Sequence, residues 1–326
     1  RDTLSLLPVS VIIPAYNEAK NIIATIQSVL SNTHTPREVI VVNDCSRDDT
    51  VAAIEQMRKV YPDTIRVVGL LENKGKAHAL NKGFQLAHSP VAVAIDGDTI
   101  LDSRALENLA RHFRDPRVAA VAGEVRIANP TTFIGRCQEI EYIVGQRIEK
   151  EAFQCLGVIN VVPGAIGAWR VGSVFAAGGY SNDTLTEDQD LTLALLRRGE
   201  KIIYDRDAIA YTEAPQTLPQ FLRQRFRWMF GTMQCIWKHR DIWRKGSDGK
   251  LVFFLFPHNV LYGALLPLLY PLADLHLLFF MSTGAFPGIS APYLLFMCFD
   301  LAYAALALTQ VPGHVRYLPL VPLQRL

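Results

Sequence analysis

Val9-Ser10-Val11-Ile12-Ile13-Pro14-Ala15-Tyr16-Asn17-Glu18 opens on β-branched residues and stops at a turn-forming segment; Val39-Ile40-Val41-Val42-Asn43-Asp44 repeats the pattern. Short apolar runs of this kind, closed by turn residues, read as strands buried on both faces. Between the two, Ile22, Ile23, Ile26, Val29 and Leu30 recur at helical spacing. Outward from this pair the alternation continues. A helix runs through Val51, Ile54 and Met57, then a strand over 65–70, a helix over 77–87 and a strand over 91–95. Strands and helices alternating at this rhythm predict an α/β chain with a mostly parallel central sheet covered on both faces.

Beyond residue 118 the pattern loosens. The segments 118–124 and 158–162 read as strands with a helix over 139–153 between them. A further helix is expected over 186–198, with Thr186 at its cap. Residues 218–239 form a basic, aromatic, amphipathic stretch carrying Phe221, Phe226, Trp228, Phe230 and Trp237.

Two apolar runs follow, 251–281, interrupted by Pro257, Pro267, Pro271 and Asp274, and 293–308, with Asp300 as its single charge. A bilayer core takes about twenty apolar residues per helix, so the first run is expected to span and the second to return as C-terminal membrane helices. The connector 282–291 has no Lys or Arg, whereas Arg240, Arg244, Lys245, Lys250, Arg316 and Arg325 flank the pair. The positive-inside rule then places the catalytic part on the cytoplasmic side of the cell membrane. The chain divides accordingly into a catalytic domain, 1–240, which includes the amphipathic interface helices, and a membrane-associated region, 241–326.

Half the residues are hydrophobic, 20% are charged and the formal net charge is +2, so nothing marks a nucleic-acid partner. The five cysteines lack zinc-ligand spacing and form no disulfide framework by pattern.

In open α/β sheets ligands bind beyond the carboxyl ends of the strands. Asp44 and Asp96-Gly97-Asp98 both stand just past strand ends. A leaving diphosphate needs charge neutralisation, and a divalent cation held by one or two carboxylates supplies it. Asp96 and Asp98, separated by a glycine that lets backbone approach phosphate, suit that task; a turn closing the strand would use the same residues. Thr186-Glu187-Asp188 opens a helix and offers Asp188 as a general base, although acidic residues are also ordinary at helix N-termini. Gln224-Arg225-Phe226-Arg227-Trp228 combines cations that can face a diphosphate with an indole platform, or lies on a membrane surface. A dinucleotide oxidoreductase is excluded, because no Gly-x-Gly-x-x-Gly follows the first strand.

The ordered set 11–18, Val42-Asn43-Asp44, Asn73-Lys74-Gly75-Lys76, Asp96-Gly97-Asp98, Thr186-Glu187-Asp188 and Gln224…Arg227-Trp228 resembles the processive family 2 glycosyltransferases. These include poly-β-1,6-N-acetylglucosamine, hyaluronan, chitin and cellulose synthases, and Thr-Glu-Asp-Gln-Asp-Leu is most similar to the first. The resemblance implies a GT-A fold and inverting transfer of sugar, N-acetylglucosamine from a UDP-sugar donor, to a growing β-linked polysaccharide acceptor. It further implies that Pro14, Tyr16, Glu18, Asp44, Lys76 and Asp96 bind the nucleotide, that Asp98 holds Mg²⁺ or Mn²⁺, and that Asp188 is the base. Glu187, Gln224, Arg227 and Trp228 would close over donor and acceptor, and residues 162–165 would line the acceptor site. The implied partners are the lipid bilayer and further membrane export subunits. Cys45 stands where the family commonly has glycine. Competing expectations are a transferase adding one sugar to a lipid or short acceptor, and a catalytically silent sugar-nucleotide-binding component of an export complex.

Overall fold

The computed structural model describes residues 6–243, 248–266 and 290–321, with 269, 272, 275, 279 and 282 between them. Strands β1 (Val9–Ala15) and β2 (Glu38–Asn43) are buried along their whole length. They pair in parallel, with Ile12 beside Ile40. β3 (Ile65–Gly69) extends the sheet beyond β2, and β4 (Val91–Ala94) lies parallel to β1 on its other side. Alternate residues of β1 face opposite layers. Val9, Val11 and Ile13 pack with Ile22 and Ile26 of α1 (Ile22–Leu30) and Ile54 of α2 (Thr50–Val60). Ile12 faces Leu80 and Phe84 of α3 (Lys76–Leu86). Burial on both faces accounts for the continuous apolar runs of these strands, each fully buried Ile or Val contributing roughly 1.5–3 kcal/mol.

Eight strands form one sheet. After β5 (Ile100–Leu101) and α4 (Ala105–Ala110) come β6 (Val118–Ile127), β7 (Gly167–Arg170) and β8 (Lys201–Thr212). The order across the sheet is β3-β2-β1-β4-β7-β6-β8-β5. β7 runs antiparallel to both β4 and β6, β5 is antiparallel to β8, and the remaining pairs are parallel. The carboxyl ends of β1, β2, β4, β6 and β8 therefore open on a single edge.

The expected strand over 158–162 is absent. Val158, Ile159 and Val162 are buried in the core, but this segment is irregular, and the strand between β4 and β6 is β7. Its β-branched content reflects burial under α8 (Glu187–Arg197), where the Thr192 hydroxyl accepts from the Val162 amide at 3.0 Å, and not sheet pairing. The helix expected over 139–153 is longer. It begins at α5 (Phe133–Glu141), capped by Thr132, continues through a wide π turn, Tyr142–Ile148, and closes with α6 (Glu149–Leu156) at Gly157, whose φ is +75°. Short α7 (Val171–Ala176) follows β7. Strand β8 escapes hydrophobic periodicity because Asp205, Arg206 and Asp207 interrupt it.

Helix α9 (Leu218–Lys238) opens with a capping box between Thr217 and Gln220 and with proline in its first turn, which together fix its start. After it, α10 (Phe256–Val260) lies between two wide turns, Leu251–Leu255 and Leu261–Leu265. In α11 (Ser290–Thr309), Ala304, Ala307 and Leu308 join Val311, Tyr317 and Val321 against Ile140 and Ile143 of the α5–π segment. Among the described residues no helix is long and apolar enough to cross a membrane. Most of the expected spanning run beyond residue 266, and most of the connector after it, lie outside the described residues.

Candidate active site

The rim begins at the loop after β1. Tyr16 is exposed and Glu18 half-buried. The loop is braced by the segment after β2: the Ser46 hydroxyl accepts from the Asn17 amide at 3.0 Å, Asn17 Oδ1 from the Arg47 amide at 2.9 Å, and Thr50 Oγ1 from the Glu18 amide at 2.8 Å. Ala15 O accepts from the Asp44 amide at 2.9 Å, so Pro14–Glu18 and Asp44 form one wall. Asp44 is 3% exposed, and its two oxygens accept from the amides of Lys74 and Gly75 at 2.9 and 2.8 Å. It thereby shapes the turn that starts α3 and delivers Lys76. Cys45 adopts φ +59°, the left-handed region that glycine occupies without strain.

At the end of β4, the Thr25 hydroxyl donates to Gly97 O at 2.9 Å and fixes the Asp96-Gly97-Asp98 turn. A Cβ on Gly97 would lie 2.8 Å from Glu18 Cγ and 3.3 Å from Pro14 O, so the close approach of these two loops requires glycine. Burial, reinforced by the Asp98 and Asp96 carboxylates, raises the Glu18 pKa to about 7. Burial, followed by Asp96 and Glu213, raises that of Asp98 to about 6. Carboxyls driven up by burial and by like charges beside them are those a cation would return to the ionised form. Mg²⁺ and Mn²⁺ bound through one or two carboxylates and substrate phosphates suit this donor set. Among the described residues no three acidic, His or Cys side chains form a ready-made cage.

Lys76 reaches across the rim, with Nζ 2.5 Å from Asp96 Oδ1 and 3.4 Å from Glu187 Oε1. Burial works against its charge, but Asp96, Glu187 and Asp188 outweigh it and hold the ammonium protonated. Asp188, on the first turn of α8, accepts from the Gly164 amide through Oδ2 at 3.0 Å and from the Gln189 amide through Oδ1 at 2.8 Å. Burial and the neighbouring Glu187 raise its pKa to about 6 against the pull of Lys76. Segment 162–165 is thus tied to Asp188 through the Gly164 amide.

These groups line a cleft of about 490 Å³ together with Gln224, Arg227 and Trp228 of α9. Trp228 packs 6.1 Å from Tyr142, and the Arg225 guanidinium lies 4.7 Å above its ring while forming a two-pronged ion pair with Glu141. The structure therefore brings Lys76, Asp96, Asp98, Glu187, Asp188, Gln224, Arg227 and Trp228 to one cleft. Pro14, Tyr16, Glu18 and Asp44 form the adjoining rim and are not among its lining residues. Sequence reasoning missed Glu213, Tyr142, Glu149 and Lys150, which also line the cleft. Glu213 follows β8, the strand it did not find; the other three lie in or beside the π turn, which hydrophobic spacing does not reveal.

A family model described as glycosyltransferase like family 2 matches residues 8–231. A poly-beta-1,6-N-acetyl-D-glucosamine synthase of Staphylococcus aureus is 32% identical over 224 residues, covering 68% of this chain and 54% of the relative. The Staphylococcus epidermidis protein of the same name is 29% identical over 248 residues, covering 76% and 59%. The chain thus spans somewhat more than half the length of these curated relatives. A solved mannosyltransferase from Pyrobaculum calidifontis, in complex with GDP-Man and Mn²⁺, superposes with a TM-score of 0.71 over 99% of this chain and 88% of that one, at 22% identity. That likeness establishes a GT-A-like fold. With the family match covering most of its length, the chain belongs to glycosyltransferase family 2 and is a glycosyltransferase.

Proposed function

We propose that this chain transfers N-acetylglucosamine from UDP-N-acetylglucosamine, with inversion, to the end of a growing β-linked polysaccharide. The carrying observation is the convergence of Asp188, Lys76, the Asp96–Asp98 pair and the Gln224, Arg227 and Trp228 side chains on one cleft. The names of the staphylococcal relatives support the choice of sugar and of a polymer.

In this reading the uridine lies against Pro14, Tyr16, Glu18 and Asp44, and Lys76 and Asp96 follow towards the diphosphate. A bound Mg²⁺ or Mn²⁺, held through Asp98, would neutralise the leaving diphosphate. Each Asp188 oxygen already accepts one backbone hydrogen bond and retains a lone pair. The acceptor hydroxyl gives its proton to that carboxylate as its oxygen attacks the anomeric carbon from the face opposite the departing UDP. Lys76, charged and beside Asp188 and Glu187, supplies positive charge on the leaving-group side. Arg227 adds a second cation, and Trp228, stiffened by Arg225 and Tyr142, offers its face to a sugar ring. Residues 1–240 form the catalytic domain and 241–326 attach it to the cytoplasmic face of the cell membrane. Exposed Leu222, Phe226, Phe230 and Trp237 on α9 support that attachment.

The test is a panel of UDP-sugars with Mg²⁺ or Mn²⁺, offered to the full chain in membranes, with released UDP and incorporated sugar measured together. UDP-N-acetylglucosamine is expected to turn over fastest, and Asp188→Asn to lower transfer by about 10²–10⁴-fold while UDP affinity is kept. Transfer that survives Asp188→Asn removes this residue from the base role, and no turnover with any UDP-sugar removes the donor assignment.

A further inference from the structure

The helix that carries the base and the helix that carries the Gln224, Arg227 and Trp228 clamp meet along a continuous polar seam. At its upper end α9 runs so close to α8 that a Cβ on Gly231 would lie 2.6 Å from Thr186 Cγ2 and 2.9 Å from the Thr186 amide nitrogen. One residue on, the Thr232 hydroxyl donates to Gln189 Oε1 at 2.9 Å. Gln234 Oε1 accepts from the Leu185 amide at 2.9 Å, and Cys235 Sγ lies 3.4 Å from Thr186 Oγ1. Each of these contacts reaches a residue within three positions of Asp188.

The lower end of the seam is ionic and buried. Asp190 and His239 are each 4% exposed. Asp190 Oδ1 accepts from His239 Nε2 at 2.8 Å, and Oδ2 accepts from Lys238 Nζ at 2.9 Å. On the far side of the ring, Nδ1 is 3.0 Å from Arg197 Nη1. A guanidinium only donates, so Nδ1 is the acceptor and Nε2 carries the proton that Asp190 receives. Arg197 is held in turn by Asp241 at 2.8 Å. The chain Asp190–His239–Arg197–Asp241 thus leaves α8 two residues past Asp188, crosses to the residue that follows α9, returns to the end of α8 at Arg197 and ends at Asp241 beyond α9. A buried carboxylate that loses its donors is strongly destabilised, so this register is sharply defined.

We propose that Asp190 and His239 are a positioning pair that locks the clamp helix to the base helix, so that α9 cannot shift over the donor without carrying the turn that holds Asp188. The inference rests on the roles given above to Asp188 and to the clamp. Its consequence is that water is kept from the donor until acceptor and base are in register.

Glutamine carries an NH₂ donor group and a carbonyl acceptor, where neutral histidine carries one N–H and one acceptor nitrogen, and so can bridge Asp190 and Arg197; leucine cannot. In the full chain in membranes, supplied with UDP-N-acetylglucosamine and Mn²⁺, the ratio of UDP released to sugar incorporated is expected near one. His239→Leu is expected to raise it severalfold, and His239→Gln to return it to within about twofold of the wild type. A merely structural role lowers release and incorporation in proportion, and a ratio unchanged in His239→Leu overturns the proposal. The second measurement is amide hydrogen exchange, which requires no donor. In His239→Leu the amides of 190–193, in the first hydrogen-bonded turn after Asp188, and of 232–235 are expected to lose protection together, by about tenfold or more, while β1 and β2 keep theirs. Unchanged protection at 190–193 overturns the pair even if the wild type proves to use another sugar, a result that by itself would fail only the donor assignment.

Discussion

Three opposing influences act on Asp188, the proposed base. Burial and Glu187 hold its proton, and Lys76 pulls the other way; the balance lies at a pKa of about 6. Only the ionised form can take the acceptor proton. Transfer is therefore expected to rise about tenfold per pH unit below pH 6 and to level off above it, with Asp188→Glu shifting that limb and not merely scaling it. A pH–rate profile at saturating donor checks this, and a flat profile between pH 5 and 7 contradicts it. The same raised pKa means that the folded chain binds more protons than the unfolded one between about pH 4 and 6. Ionising Asp188 thus lowers stability as pH rises through that window, a cost borne at the site for its chemistry.

At the scale of elements, the close passage of α9 over α8 depends on Gly231. Adding a methyl there meets Thr186 backbone and not only a movable side-chain end. Gly231→Ala is expected to destabilise the chain by about 1–3 kcal/mol, read by chemical unfolding, and to lower transfer beyond what the folded fraction explains. An unaltered unfolding midpoint would show that the seam is loose. The elements legible in the sequence were those whose pattern has one physical cause. β1, β2 and β4 are buried on both faces, α3 and α9 are amphipathic, and Asp96, Asp98 and Asp188 end strands or begin helices. Segment 158–162 misled because β-branched residues serve a buried irregular segment as well as a strand. β8 was obscured by the charged residues at its bulge, where Asp205 accepts from Arg111 and His112 at 2.7 Å. Glu213 was lost with it. The Asp190–His239 contact joins residues 49 positions apart, and no local pattern announces such a pair.

Across the whole molecule, the end of the sheet opposite the cleft is fastened by one carboxylate. Glu38, 4% exposed, accepts from Ser10 Oγ at 2.8 Å, the His88 amide at 2.7 Å and Arg66 Nη1 at 2.9 Å, joining β1, β2, β3 and the segment before β4. Burial alone would raise its pKa, but the His88, Arg66 and Ser10 hydrogen bonds prevail and hold it at about 2. Its stabilising contribution is complete above the unfolded value near 4.5 and is lost as pH falls towards 2. Glu38→Gln is expected to remove about 2–3 kcal/mol at pH 7, and less at each step towards pH 2, in denaturant titrations at several pH values. An equal loss at pH 7 and pH 3 would contradict this ionic fastening. At the opposite edge burial instead raises the Glu18, Asp98 and Asp188 carboxyls, and the contrast between the two ends of one sheet distinguishes a fastening from the candidate site. The proposed outcome of that organisation is a β-linked N-acetylglucosamine polymer. The most direct measurement is sizing and NMR linkage analysis of the product formed by the full chain in membranes from UDP-N-acetylglucosamine and Mn²⁺. Long chains of β-configured N-acetylglucosamine, made while most acceptor is still unextended, are the result the account predicts; α-configured linkages, or acceptors lengthened by a single sugar, would contradict it.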